Sequence, residues 1–327
     1  MPKRFTPDEY AAGVLSGNRV LLSRAITLVE STLPSDQTLA HQVMEQVLPH
    51  AGKSVRVGIT GVPGVGKSTF IEAFGNYLLE QHGKKLAVLA IDPTSQRTGG
   101  SILGDKTRME TLSANPNAYI RPSPAGNTLG GVARSTRESI LLCEAAGFDV
   151  IFVETVGVGQ SETAVHEMVD FFLLLMLAGA GDELQGIKKG IMEMADAIAI
   201  TKADGPNLNA ATSAQAEYQG ALHLFPLGAS QWSPRVTVCS AYEKSGLGPI
   251  WDSVSEYVAL TQGNGYFQQR RQEQNLHWLK HSIRQQLEER FYQHPLIQAQ
   301  WQTIAGQVTQ GQKSPFAASA ELFQLIS

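Results

Sequence analysis

One eight-residue segment constrains the fold more than any other part of the chain. Residues 61–68 read GVPGVGKS, which matches the pattern Gly-x-x-x-x-Gly-Lys-Ser/Thr. A β-rich run, residues 55–60, precedes the segment, and residues 69–81 carry apolar side chains at helical spacing. A strand, a glycine-rich loop and a helix in this order form a P-loop, which holds phosphates at the helix N-terminus. We therefore predict that the chain binds a nucleoside triphosphate.

Each residue type in this segment has a physical role. The glycines let backbone N–H groups approach the phosphate oxygens. Lys67 is predicted to reach the β- and γ-phosphates as the catalytic cation, and Ser68 to hold Mg²⁺. The phosphate-binding residues predicted here are Gly61, Val62, Pro63, Gly64, Val65, Gly66, Lys67, Ser68 and Thr69.

Composition and charge narrow the class of protein. The 327 residues carry a net charge of −4, which argues against a nucleic-acid-binding surface. The longest apolar run, residues 171–180, is far shorter than the ~20 residues needed to span a bilayer. No apolar stretch follows Lys3 and Arg4, so we expect no secretory signal. Cys143 and Cys239 are isolated and are predicted to be buried thiols, so we expect a cytoplasmic protein without membrane contact.

The alternation of apolar segments predicts an α/β fold. Strand-like runs alternate with helical patterns, which implies right-handed crossovers and a mainly parallel sheet. We predict the three-layer α/β/α architecture of P-loop NTPases, in which residues 171–177 form a central strand buried on both faces. The predicted strands are residues 55–60, 86–92, 118–121, 150–154, 171–177, 197–201 and 236–240.

Helical segments flank this core at both ends. Helical patterns cover residues 7–33 and 39–48, and a long amphipathic helix in the last part of the chain ends before Pro295. This helix either packs on the chain's own core or forms a dimerisation arm, because its length exceeds what one edge of the core covers. The predicted division is an N-terminal helical extension, 1–52, a nucleotide-binding G domain, 53–262, and a C-terminal helical arm, 263–327.

Two short motifs predict guanine as the base. Thr201-Lys202-Ala203-Asp204 follows an apolar strand and resembles the [N/T]KxD motif of GTPases. Asp204 can accept hydrogen bonds from guanine N1–H and N2–H₂, while the Lys202 stem packs on the base; adenine would leave this carboxylate unpaired. Ser240-Ala241-Tyr242 ends the next strand, where the backbone would meet guanine O6 at the ligand-binding edge of the sheet. We therefore predict GTP and GDP as ligands; the alternative is that Asp204 merely caps a helix.

Acidic residues near strand ends predict a Mg²⁺ site. Asp92 and Glu154 each close an apolar strand, and Asp105 follows a glycine-rich loop, where a simple surface charge is an alternative interpretation. Together with Ser68, these residues offer the oxygen ligands that Mg²⁺ prefers. Gly157 comes shortly after Glu154, and its N–H is predicted to sense the γ-phosphate.

The residue after Gly157 bears on the rate of GTP hydrolysis. Val158 occupies the place where Ras-like proteins carry a water-orienting glutamine. Because a valine cannot polarise water, we expect slow GTP hydrolysis unless another element or a partner supplies the missing group.

Longer stretches resemble one family. The order GVPGVGKST, AIDPTSQRTGGSILGDKTRM, FVETVGVGQSE, GAGDELQGIKKGIMEMAD, ITKAD and CSA resembles the bacterial MeaB/ArgK family of P-loop GTPases, relatives of the human protein associated with methylmalonic aciduria type A. The resemblance covers essentially the whole chain, and residues 92–109 and 179–196 are its most specific parts. It implies a homodimer, joined through the C-terminal arm. It also implies that GTP hydrolysis gates adenosylcobalamin loading of methylmalonyl-CoA mutase and protects that enzyme.

The resemblance further implies roles for individual residues. The implied Mg²⁺ ligands are Asp92, Asp105 and Glu154, which add to Ser68 of the P-loop. Switch I would be residues 92–109 and switch II residues 154–167. The loop 179–189 would be a third switch that couples the nucleotide state to the mutase, with Gln185, Lys188 and Lys189 as its polar residues, because a lysine can swing toward a phosphate or a carboxylate. A solvated, charged surface loop is the alternative interpretation of this segment.

Two other functions compete with this reading. Some family members were long labelled kinases of periplasmic amino-acid-binding proteins, and a P-loop suits phosphoryl transfer to water or to a hydroxyl. The guanine motif and the lack of an arginine-rich lid are unfavourable to an ATP kinase. A nickel-insertion GTPase is the third possibility, although such proteins use Cys/His metal motifs, whereas here both cysteines are isolated and the eight histidines are scattered.

Overall fold

A computed structural model of the protein describes residues 4–91, 109–122, 129–155, 161–179 and 185–326. The chain divides into two compact units, Met1–Gln274 and Asn275–Ser327. The predicted boundary between the N-terminal helices and the G domain lies inside the first unit, and the three-part division stays a prediction.

Within the described residues, seven parallel strands form one sheet in the first unit, which confirms the predicted fold class. The strands are β1 (Val55–Gly61), β2 (Leu86–Ile91), β3 (Ala118–Arg121), β4 (Val150–Thr155), β5 (Phe171–Met176), β6 (Ala197–Ile200) and β7 (Arg235–Val238). Their spatial order is β3-β2-β4-β1-β5-β6-β7, so β1 lies in the middle of the sheet. Loops at the carboxyl ends of such strands bind ligands.

The core of the sheet is continuous and apolar. All six residues of β5 are buried, and this strand pairs with β1 on one side and β6 on the other. The prediction of a central strand buried on both faces is therefore confirmed, because helices cover both faces of a parallel sheet.

Helices surround the sheet in the first unit. They are α1 (Pro7–Leu15), α2 (Arg19–Glu30), α3 (Pro34–Val47), α4 (Lys67–His82), α5 (Glu110–Ala114), α6 (Leu129–Ala145), α7 (Ser161–His166), α8 (Gln185–Met194), α9 (Leu208–Leu222), α10 (Leu247–Gly263) and the first turns of α11 (Tyr266–Gln293). Two short 3-10 helices, Leu48–His50 and Gly205–Asn207, follow α3 and precede α9.

The structure corrects three helical predictions. The pattern over residues 7–33 forms two helices, because Asn18 caps α2 by accepting hydrogen bonds from the N–H groups of Val20 and Leu21. Helix α3 begins at Pro34, before the predicted start at residue 39, since proline is well suited to the first helical turn. The predicted loop 179–189 is wrong over residues 185–189, which form the first part of α8.

The second unit is helical and has its own small core. It contains the later turns of α11, followed by α12 (Pro295–Thr309) and α13 (Pro315–Gln324). Ile297, Ile304, Ala318 and Leu322 are buried together. The predicted helix end before Pro295 is confirmed. Among the residues that the structure describes, no helix is both long and apolar enough to cross a membrane.

Candidate nucleotide-binding site

The phosphate-binding loop leaves β1 at the carboxyl edge of the sheet and enters α4. Gly66 is the N-cap residue of α4 and has a φ of 89°, a left-handed conformation that favours glycine. Helix α4 then begins at Lys67, so its first N–H groups and its dipole face the loop. The strand, the loop and the helix follow one another as the sequence predicts.

Lys67 lies inside this loop rather than in solvent. Its Nζ donates a hydrogen bond to the carbonyl oxygen of Gly61 at 2.9 Å. Burial lowers the pKa of Lys67, while the charges of Glu154 and Glu162 act in the opposite direction. A partly desolvated ammonium group in a turn of backbone amides is suited to bind a phosphate strongly.

The Ser68 hydroxyl and the Glu154 carboxylate meet beside the loop. Ser68 Oγ lies 3.4 Å from Glu154 Oε1, which brings together two residues that the sequence analysis assigned to Mg²⁺. Glu154 is buried near the end of β4, in register with Ile59 of the neighbouring strand β1. A second cross-strand contact follows directly, since Thr155 Oγ1 donates to Thr60 Oγ1 at 2.8 Å. These pairings hold Glu154 at the P-loop.

The guanine motif is tied to the phosphate loop by two direct contacts. Thr201 Oγ1 donates to the carbonyl oxygen of Val65 at 2.9 Å, and Lys202 Nζ donates to that of Gly64 at 2.9 Å. Lys202 has a φ of 56°, which is uncommon for a residue with a side chain and is often found at functional sites. The end of β6 is thus fixed against the P-loop.

Asp204 and Ser240 form the far side of the site. Ser240 Oγ donates to Asp204 Oδ2 at 2.5 Å and also accepts from the N–H of Glu243 at 3.1 Å. In the described part of the chain, the Asp204 side chain makes no capping bond to the 3-10 helix that follows it. Asp204 is the N-cap residue of this helix through its backbone carbonyl, which accepts from the N–H of Asn207 at 3.0 Å, whereas its carboxylate lies beside Ser240 of the second base motif. Its contact with a guanine base stays a prediction.

The other predicted site residues divide into three groups. Ala241 and Tyr242 follow Ser240 at the rim, where Tyr242 is 89% exposed, and their contact with a base stays a prediction. Asp92, Asp105, Gly157 and Val158 lie outside the described residues. The backbone of Gln185 and Lys188 lies in α8, and the roles predicted for their side chains stay predictions.

Sequence reasoning missed two residues of the site. Thr201 was read only as the first letter of the guanine motif, yet its hydroxyl joins that motif to the P-loop. Glu162 was included in the family stretch FVETVGVGQSE and in the implied switch II, 154–167, without a role of its own, yet it is buried and its charge acts on Lys67. The signal that the sequence offered for Glu162 was an acidic residue one helical turn before a histidine, His166.

This arrangement is that of a GTPase. It combines a P-loop on a parallel sheet with two adjoining base motifs, one of which carries a carboxylate and the other a hydroxyl. The family model described as methylmalonyl Co-A mutase-associated GTPase MeaB matches residues 22–295 of this chain. The chain belongs to this family.

Individual relatives agree with this assignment over nearly the full length. The GTPase ArgK of Escherichia coli strain K12 is 48% identical over 294 residues, which cover 90% of this chain and 87% of that protein. The mitochondrial methylmalonic aciduria type A homolog of Mus musculus is 47% identical, over 97% of this chain and 78% of that protein. Among solved structures, the crystal structure of a LAO/AO transport system kinase has a TM-score of 0.76 and 38% identity, and the match covers 100% of this chain and 99% of that one.

Proposed function

We propose that this GTPase is a chaperone of methylmalonyl-CoA mutase, which uses GTP hydrolysis to gate the loading of adenosylcobalamin and to protect the mutase. The observation that supports this most is the family match over residues 22–295, because the family is named for its association with that enzyme. The relative in mouse is named for methylmalonic aciduria, a name that fits the same partner.

Nucleotide binding is the part of this proposal with the most direct structural support. Thr201 and Lys202 hold the guanine motif against the P-loop, and Asp204 offers its carboxylate beside Ser240. An aspartate at this position pairs with two donors of guanine, whereas adenine presents an acceptor at N1 and no amino group at C2. GTP and GDP are the ligands that match this donor and acceptor pattern.

The site also fits the Mg²⁺ that accompanies a nucleoside triphosphate. The hydroxyl of Ser68 and the carboxylate of Glu154 are hard oxygen ligands, and they lie 3.4 Å apart beside the phosphate loop. These two residues would hold the ion, and Asp92 and Asp105 remain proposed ligands. A bound Mg²⁺ supplies positive charge for the β- and γ-phosphate oxygens.

Lys67 is proposed to act directly on the phosphates. The ammonium of Lys67 is partly buried at the mouth of the loop, where a cation stabilises negative charge more strongly than it does in water. Hydrolysis by the protein alone is proposed to be slow, because Val158 stands in place of a water-orienting side chain. A partner that completes the site would raise the rate.

A homodimer is the proposed oligomeric state. Four residues of α11 form an exposed apolar stripe in the second unit, spaced three or four residues apart and between 48% and 61% exposed. They are Leu276, Leu279, Ile283 and Leu287. An apolar stripe at this spacing is typical of helices that pair with another helix. A second copy of the chain is the proposed occupant, and light scattering of Ile283→Glu should then show a monomer where the unchanged protein is a dimer.

The two cysteines bear on the alternative of metal insertion. Cys143 and Cys239 are both buried free thiols, and burial raises the pKa of Cys239 to about 12. The pKa of Cys143 is also raised by burial. Since thiolates rather than thiols bind metals, neither is suited to a metal-transfer site. Free thiols also support the proposed cytoplasmic location.

The proposed function is tested by adding the partner. GTP hydrolysis is measured with and without purified methylmalonyl-CoA mutase, for the unchanged protein and for Lys67→Ala. Adenosylcobalamin transfer is measured for both proteins in the presence of the mutase. We expect the mutase to accelerate hydrolysis and Lys67→Ala to abolish both the basal and the stimulated rate. An unchanged rate, together with phosphate transfer from GTP to a transport binding protein, would instead favour the kinase function suggested by the name of the related crystal structure.

A further inference from the structure

Arg270, in the first turns of α11, makes a direct contact with helix α7. Its Nη2 lies 3.0 Å from His166 Nε2 and 3.4 Å from the carbonyl oxygen of the same residue. Because a guanidinium group only donates, His166 Nε2 accepts and the ring proton lies on Nδ1. Arg270 therefore binds both the side chain and the backbone at the last residue of α7.

Helix α7 lies unusually close to the sheet. A Cβ atom on Gly58 of β1 would lie 2.8 Å from Val165 Cγ1 and 2.9 Å from Phe172 Cδ2, so a glycine is required at this position. The His166 ring also packs edge-on against Phe172, with ring centroids 5.6 Å apart and planes at 87°. The sheet therefore limits the movement of α7 from one side, and Arg270 holds its end.

The start of the same helix carries a second buried group, the carboxylate of Glu162. Glu162 precedes His166 by one helical turn, so both side chains project from the same side of α7. Glu162 is only 1% exposed, and its charge acts on Lys67. A shift of α7 along or away from the sheet would change the position of this carboxylate relative to the catalytic ammonium group.

We propose that Arg270 is a positioning residue for GTP hydrolysis, which holds His166 and thereby fixes helix α7 and the carboxylate of Glu162 relative to Lys67. The physical reason is the sensitivity of phosphoryl transfer to geometry, since displacement of a catalytic group by about 1 Å can lower a rate by up to about 100-fold. The ground-state affinity for nucleotide depends mainly on the P-loop backbone and on Asp204, which Arg270 does not contact.

Several charged and titratable groups face Arg270 and belong to different elements. They are His166 on α7, Asp170 before β5, Asp196 before β6, Tyr257 on α10 and Tyr266 at the start of α11. Tyr257 Oη accepts a hydrogen bond from Arg270 Nη1 at 3.4 Å. Burial and the charge of Arg270 lower the pKa of His166 to about 4. The His166 imidazole is therefore neutral at physiological pH and reports on Arg270.

The test combines kinetics with this reporter. Single-turnover GTP hydrolysis, GDP affinity and the NMR-detected pKa of His166 are measured for Arg270→Gln and Arg270→Lys. Arg284→Gln, an exposed arginine farther along the same helix, is the matched control. We expect Arg270→Gln to slow hydrolysis roughly tenfold, to leave GDP affinity within about twofold and to raise the His166 pKa. Arg270→Lys should recover part of the rate, and the control should change none of the three.

A second pair of variants keeps the proposal testable if Arg270→Gln does not fold. His166→Gln retains an acceptor for Arg270 and should keep most of the rate, whereas His166→Phe removes the acceptor and should slow hydrolysis like Arg270→Gln. Hydrolysis at the unchanged rate, in a variant whose contact is lost, would overturn the proposal. A parallel loss of rate, GDP affinity and thermal stability would also overturn it, because it would show a purely structural role.

Discussion

The side chains of Asp204 and Ser240 are joined by a hydrogen bond of 2.5 Å between Oδ2 and Oγ, although 36 residues separate them in the chain. Asp204 follows β6 and Ser240 follows β7, and these strands are neighbours in the sheet. The backbone supports the same junction, since the N–H of Ala203 donates to the carbonyl oxygen of Cys239 at 3.0 Å. The two base motifs are therefore one preformed unit.

Nucleotide choice should depend on Asp204. We expect GTP and GDP to bind at least about 100-fold more tightly than ATP, a difference of roughly 2.7 kcal/mol. Asp204→Asn should shift the preference toward xanthine nucleotides, because an amide complements the C2 carbonyl of xanthine. Calorimetry with GDP, ADP and xanthosine diphosphate measures the change. Ser240→Ala is the control and should weaken GDP binding without changing the base preference; equal affinities for ATP and GTP would contradict the guanine assignment.

Turnover should depend on Lys67. Lys67→Ala should abolish GTP hydrolysis, because it removes the cation nearest to the charge that develops on the phosphates. Lys53→Ala, which changes an exposed lysine before β1, should hydrolyse GTP like the unchanged protein. Phosphate release measures both. The unchanged protein alone should be slow, and an intrinsic rate comparable with the ~5–20 s⁻¹ of partner-stimulated GTPases would contradict the interpretation of Val158.

Coupling to the mutase should depend on the start of α8. Gln185→Ala or Lys188→Ala should leave the GTP affinity of the isolated protein nearly unchanged, while lowering the mutase-stimulated rate and disturbing cobalamin transfer. The reason is that coupling is a difference in free energy between two states, which need not alter either ligand's binding alone. GTP hydrolysis with and without the mutase is the measurement. If both variants keep full stimulation, this segment is an ordinary charged surface.

The stability of the fold should depend on a buried ion pair at the amino ends of the strands, on the side of the sheet away from the nucleotide site. Arg271 donates to both carboxylate oxygens of Asp170 at 2.7 Å, and also to the carbonyl oxygens of Gly52 and Ser54. The carboxylate of Asp170 is almost fully buried. The pair joins α11 to the start of β5 and to the residues before β1.

Arg271→Met should therefore lower the free energy of unfolding by about 3–5 kcal/mol, because it leaves the buried Asp170 carboxylate without its partner. Urea denaturation followed by circular dichroism measures the change. Arg235→Met removes a partner of the exposed pair with Glu256 and should have no measurable effect. Similar losses in both variants would show that burial does not decide the energy of these pairs.

The pH dependence of stability should reveal two opposing groups. Burial and Arg270 lower the pKa of His166 from 6.5 to about 4. Between these two pH values His166 is therefore protonated in the unfolded chain and neutral in the folded protein. The contribution of His166 to the free energy of unfolding is complete above pH 6.5 and is lost as the pH falls to about 4. The loss is on the order of 3 kcal/mol. Burial raises the pKa of Asp196 from 3.8 to about 6, so its effect is opposite and stability rises as the pH falls through that window.

These two contributions should nearly cancel in the unchanged protein. Measured against the unchanged protein at the same pH, His166→Gln should therefore be more stable at about pH 4 than it is at about pH 7. Asp196→Asn should lose stability more steeply on acidification than the unchanged protein. Denaturation midpoints measured across this range give the result. Identical pH profiles for all three proteins would show that neither group titrates as inferred.

Much of the fold followed from local patterns. The P-loop was readable because its strand, loop and helix are contiguous, and the central strand β5 was readable because a fully buried strand is apolar throughout. Errors fell where local signals compete. Residues 7–33 were read as one helical pattern although Asn18 starts a second helix, and residues 185–189 were read as loop although they are helical.

The sequence by itself indicated the class of nucleotide-binding protein, since Lys67, Ser68 and Asp204 each belong to a short motif that is read from contiguous residues. Tertiary structure alone decided which side chains meet across the fold. Arg270 and His166 are 104 residues apart, and Thr201 and Val65 are 136 apart. The physical reason is that helical and strand periodicity reports which face of an element is buried, whereas such contacts depend on the order in which the strands assemble into the sheet.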